Sequence, residues 1–119
     1  MTTASANADT LGRRLFSFGV ITDTHLNQGE DDCNSPYQSN RLANRRMRHV
    51  IRDLNARDLA FVVNVGDLVH PLPAIPDLYA RAAAQFHEQT EKLEHPLYLT
   101  PGNHDVGDKP NDWAPAAVV

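Results

Sequence analysis

Apolar positions along the chain fall into five short blocks whose spacing alternates between two patterns. "FSFGVIT" at 16–22 is apolar, β-branched and aromatic over a strand's length, and it runs directly into Asp23. From Ser39 to Asn55 the apolar residues Ala43, Met47, Val50, Ile51 and Leu54 recur at helical spacing, with arginines and Asn44 on the opposite, polar face. "LAFVVNV" at 59–65 is a nearly continuous apolar run ending at Gly66-Asp67, the pattern of a parallel strand covered on both faces. Pro76 and Asp77 suit a first helical turn, after which Tyr79, Ala82, Ala83, Phe86 and Leu93 share one face as far as the "EHP" break at 94–96. "PLYLT" at 96–100 then reads as a third strand.

The order β-α-β-α-β predicts an α/β fold with a parallel sheet layer. Parallel strands require crossover connections, and these are right-handed almost without exception, so the carboxyl ends of all three strands lie along one edge. In open α/β sheets that edge is where ligands bind. The chain places "DTH" (23–25), "GD" (66–67) and "GNHD" (102–105) there. Each motif alone is ordinary loop chemistry; three in succession predict a shared site.

Two carboxylates (Asp23, Asp67), an imidazole (His25) and a neutral amide (Asn103), with no thiolate, form a mixed hard and borderline donor set. It suits manganese, iron or zinc, whereas magnesium alone rarely recruits histidine. Converging carboxylates repel each other unless a cation favours their ionised forms. Two ions about 3.5–4 Å apart can share a carboxylate, activate a water and clamp the oxygens of a phosphoryl displacement. Asp67, on the central run, is the natural bridge.

These three blocks, in this order and each behind an apolar strand, resemble the first signature motifs of the calcineurin-like metallophosphoesterases. The resemblance implies a fold matching the first half of an α/β/β/α sandwich, and a metal-dependent hydrolase acting on phosphoric esters. It implies that Asp23 and His25 bind one metal, Asp67 bridges, Asn103 binds the second, and His104 donates a proton or stabilises charge at the leaving oxygen. The glycine of "GNHD", Gly102, is expected to let the backbone turn. Asp105 and His70 stand as candidates for support behind the ligands. By the same resemblance a complete site holds two divalent or mixed-valence ions (Mn, Fe or Zn), with one or none retained here.

The resemblance also has gaps. Later histidines, including a G-H-x-H pair, belong to the family pattern, yet the six histidines here, at 25, 49, 70, 87, 95 and 104, all precede or end at the third block. His70-Pro71 stands where the protein-phosphatase branch has aspartate and arginine. The second sheet is missing as well, so one apolar sheet face is expected to lie exposed and to promote self-association. The expected organisation is a flexible lead-in (1–15), a partial phosphoesterase domain (16–106) and a poorly ordered tail (107–119). The chain reads as a truncated product or fragment whose activity in isolation stays open. The alternative is a non-enzymatic metal-binding or assembly module completed by another chain.

Composition narrows the remaining classes. A chain of 119 residues with 41% hydrophobic content supports one domain. Net charge is −4, and the only basic block, "NRRMRH" at 44–49, lies within a helical pattern, so nucleic acid is not an expected partner. Arg41, Arg45, Arg46, Arg48 and Arg52 read as that helix's solvent face, and Glu30, Asp31 and Asp32 as a solvated loop. Cys33 is the single cysteine, which fits a reducing compartment, and no apolar stretch has the length of a signal core or membrane span; a cytoplasmic location without membrane association is expected. No phosphate-loop glycine motif occurs. A phosphate-ester substrate is implied, but the motifs do not separate monoesters, diesters and cyclic nucleotides.

Overall fold

The computed structural model describes residues 11–29, 33 and 35–107. Its elements run β1 (Gly19–Ile21), a 3-10 turn (Gln38–Leu42), α1 (Ala43–Asn55), β2 (Val62–Asn64), α2 (Pro76–Thr90), β3 (Leu97–Leu99) and a four-residue helix α3 (Asn103–Val106). Residues 1–10 of the lead-in, the tail from 108 onward, and the acidic trio Glu30, Asp31 and Asp32 lie outside the described residues.

The three strands form one parallel sheet in the order β1-β2-β3, with Gly19 level with Val62 and Leu97, and Ile21 level with Asn64 and Leu99. Pairing continues past the strict strand limits, as Ala60 donates to the Ser17 carbonyl at 2.8 Å and Thr100 to that of Asn64 at 2.9 Å. Because both crossovers step in the same direction with the same hand, α1 and α2 are brought to the same face, and they touch. The core lies between them and the sheet: Leu26, Met47, Ile51, Val69, Ala82 and Phe86, flanked by Ile21, Tyr79, Leu93 and Leu97. Each fully buried aliphatic or aromatic side chain there contributes roughly 1.5–3 kcal/mol. Helix α1 lies close enough to β1 that a Cβ on Gly19 would come within 3.1 Å of the Leu54 side chain.

This topology corrects the reading of the central strand as covered on both faces. Val62 and Asn64 point to the helices and are buried, while Val63 points away and is only half-buried. On that second face Phe16, Phe18, Val20, Val65 and Tyr98 are all exposed. Phe18 stacks on Phe61 at 5.0 Å between centroids, and Tyr98 meets Phe61 edge-on at 5.8 Å. Two same-handed crossovers leave no element among the described residues to cover this row.

Asn44 is a second correction, since it is completely buried rather than part of the polar face. The loop after β1 docks there: the Asn27 backbone N–H donates to Asn44 Oδ1 at 2.8 Å, and Asn44 Nδ2 donates to the Asn27 carbonyl at 3.1 Å. Asn27 Nδ2 donates in turn to the Asn40 carbonyl, and Cys33 Sγ donates to Asn27 Oδ1 at 3.1 Å. A buried amide with both ends satisfied costs little, and this one ties the loop to the start of α1.

Candidate metal centre

The turns that follow β1 and β2 hold their polar residues in an unusual backbone conformation. Asp23, His25 and Asp67 have φ of 52°, 42° and 54°, and among the described residues they are the non-glycine positions with positive φ. An L-residue in this left-handed region costs on the order of 1–3 kcal/mol, and such residues cluster at functional sites. Hydrogen bonds between the two turns hold them in place. The Asp23 N–H donates to the Gly66 carbonyl and the His25 N–H to that of Asp67, each at 3.0 Å, and Thr24 Oγ1 donates to the Leu68 carbonyl at 2.9 Å. Asn64, buried beneath, accepts the Gly66 N–H at 3.2 Å.

The third block approaches at backbone contact. A Cβ on Gly102 would lie 2.6 Å from the Asp67 nitrogen, and one on Gly66 would lie 2.7 Å from the Gly102 nitrogen. Gly102 is therefore glycine for space, not for a left-handed turn: its φ is −101° and its backbone extended, which corrects the turn reading. Immediately after it the chain coils into α3. Asp105 Oδ2 accepts the N–H groups of Gly102 and Asp67, both at 2.7 Å, while Oδ1 accepts that of Leu68 at 2.9 Å. Asp67 Oδ1 in turn accepts the His104 N–H at 3.0 Å.

The side chains converge in two overlapping groups. Asp23, His25 and Asp67 each offer a ligand atom with all three within 4.8 Å of one another; so do His25, His70 and His104. His25 Nε2 lies 3.7 Å from Asp23 Oδ1 and 3.7 Å from Asp67 Oδ2. That spacing is too long for a hydrogen bond and close to the roughly 3.0–3.4 Å separating two ligands bound about 2.1 Å from a common ion. The Nδ1 atoms of His25 and His104 are buried without a hydrogen-bond partner among the described residues. Orphaned imidazole nitrogens, ionisable oxygens and the absence of thiolate fit a manganese, iron or zinc ion. His70 is held below the ordinary histidine pKa, first by burial and then by His25 and His104, so it is neutral near pH 7.

Of the residues singled out in the sequence, Asp23, His25, Asp67, His70 and His104 come together, and Asp105 stands behind them. Asn103 starts α3 next to His104 and is exposed. His49 and His87 are exposed on their helices, and His95 contacts the Leu54 carbonyl at 2.9 Å at the amino end of β3. Two contributors were not legible as such. Asn64 sat inside an apolar run, where a lone amide is itself a signal. Arg46, read as solvent face, is exposed but lines a cavity that Asp23 and His25 also line.

The family model for calcineurin-like phosphoesterases matches residues 16–117. The chain belongs to the calcineurin-like phosphoesterase family. The fold of this chain is similar to that of a dimetal phosphatase from Danio rerio, with a TM-score of 0.62 at 22% identity, over 76% of this chain and 30% of that one. It thus spans less than a third of that structure's length, and the likeness speaks for the fold. No curated protein matches the sequence. Among the described residues no helix is long and apolar enough to cross a membrane.

Proposed function

We propose that this calcineurin-like phosphoesterase chain hydrolyses phosphoric esters at a metal centre held by Asp23, His25, Asp67 and Asn103, with His104 as the catalytic side chain. The observation that carries the reading is the convergence of the Asp23, His25 and Asp67 ligand atoms within 4.8 Å on adjacent strand ends. When bound, a pair of Mn, Fe or Zn ions supplies a water of lowered pKa and neutralises charge on the phosphate. The chain's own residues do the rest. Asp67 lies between the other blocks, its Oδ2 towards His25 and its Oδ1 on the His104 N–H, which suits a bridging carboxylate. His104 gives a proton to the departing alcohol oxygen in this reading, which its place beside His25, 5.0 Å between rings, supports. His70, neutral and 6.3 Å from the His104 ring, offers a second imidazole to the phosphate oxygens.

Turnover of bis(4-nitrophenyl) phosphate by the manganese-loaded chain tests this. Activity that disappears in His104→Ala supports it; a chain that binds manganese yet never releases nitrophenol refutes the enzymatic part.

The exposed Phe16, Phe18, Val20 and Tyr98 face favours a second reading, an assembly module whose open sheet is completed by another chain. It is a non-enzymatic reading that predicts assembly without turnover, and a monomer in sedimentation that hydrolyses esters overturns it.

A further inference from the structure

Beside the metal centre, between the end of β1 and the first turns of α1, lies a cavity of about 210 Å³. Asp23 and His25 form the wall it shares with the site; Ala43, Met47 and Val50 form an apolar floor; Arg46 stands at the rim. Arg46 Nη1 donates to the Ser39 carbonyl at 3.1 Å, which ties the guanidinium to the turn before α1, and no other hydrogen bond of its N–H groups occurs among the described residues. Pockets for whole small molecules run to roughly 300–1,000 Å³, so this space takes part of a ligand and not all of it. An apolar cavity on the order of 150 Å³ accepts a benzene ring. A ring-sized body ending in one small anion therefore fits, and a guanidinium fork binds a carboxylate through two parallel hydrogen bonds.

We infer that this cavity is the subsite for the alcohol half of the ester, and that it selects a compact apolar group carrying a carboxylate, held by Arg46. The inference deepens the proposed function and depends on it, because the ester's phosphate must sit on the metal centre for its alcohol to reach the cavity. Asp23 and His25 are common to both, so the cavity adjoins the place where the ester's phosphate would sit. A bare phosphate leaves the cavity to water, whose removal from the half-buried Val50 favours the larger ligand.

The test uses two non-hydrolysable probes, phenylphosphonate and 4-carboxyphenylphosphonate, titrated into the zinc-loaded 119-residue chain and followed by calorimetry and amide NMR. Wild type is expected to bind the carboxylated probe about tenfold more tightly, with shifts at Ala43 and Val50, and the ratio is expected to fall to about one in Arg46→Gln. Arg46→Lys, which keeps the charge and loses the fork, should give an intermediate ratio. Equal affinities in wild type, or a ratio unchanged in Arg46→Gln, overturn the subsite while leaving the hydrolase reading intact. A chain that takes up no zinc in a prior calorimetric titration overturns that reading, and the subsite with it.

Discussion

Asp105 and Asp67 hold each other's loops. The Asp105 carboxylate accepts the Asp67 backbone N–H at 2.7 Å, and the Asp67 carboxylate accepts the backbone N–H of His104, next to Asp105, at 3.0 Å. Two segments far apart in the chain are thereby locked into one site framework by the protein's own hydrogen bonds.

Replacing Asp105 by Ala leaves the N–H groups of Gly102, Asp67 and Leu68 without their acceptor. We expect a loss of about 2–4 kcal/mol, read as a lower urea midpoint with unchanged slope, and weaker zinc binding in calorimetry. Asp105→Asn, which keeps one carbonyl oxygen but no charge, should lose about half as much.

Metal binding should stabilise the fold by mass action. At a free manganese concentration one hundred times its dissociation constant the gain is about 2.7 kcal/mol, visible as a raised Tm that chelation reverses. Asp23→Asn and Asp67→Asn keep shape and tolerate the left-handed backbone, yet remove the charge. Both should abolish the metal-induced rise, and Asp23→Asn should do so without lowering the Tm of the metal-free chain.

Gly102→Ala puts a methyl group against the Asp67 backbone and carboxylate. The two turns must separate, at a cost of about 1–3 kcal/mol in chemical denaturation. The amide signals of Asp67 and Leu68 should move furthest, because their shared acceptor sits in the displaced loop.

Tyr79 is held above the ordinary tyrosine value of 10.0, first by burial and then by the charge of Asp105. Its ionised form is disfavoured in the folded state, so the unfolded chain loses this proton first. The contribution is therefore whole below about pH 10 and lost as pH rises through the folded value. Tyr79→Phe should flatten the fall in Tm above about pH 10 relative to wild type.

The bare sheet face carries a prediction about association. Phe18→Ser and Tyr98→Ser together should shift sedimentation towards monomer at rising concentration, with the helical circular dichroism preserved. Wild type that stays monomeric throughout removes the reason for the second functional reading.

Element type and order were legible because the two periodicities carry them: Met47, Ile51 and Leu54 mark a helix, and "FVV" a strand. Convergence of Asp23, Asp67 and His104 followed from parallel strands sharing a carboxyl edge. The chain could not reveal which neighbours each polar group would meet. Asn44 looks like surface until the Asn27 loop docks on it, and Gly102 looks like a turn until Asp67 is seen against it. Arg46 shares the periodicity of its solvated neighbours and differs from them by the cavity it borders. The bare face of β2 was expected from the missing second sheet; its apolar content alone reads as cover on both sides, because the sense of the two crossovers is not written in it.

Three residues that supply the candidate ligands, Asp23, His25 and Asp67, occupy backbone angles that suit glycine or asparagine better. Laboratory evolution of this chain for heat resistance alone, in metal-depleted medium, should drift away from the acidic and imidazole side chains at these positions first. Adding manganese to the same selection should reverse the drift, since the ion then rewards what the main chain resists.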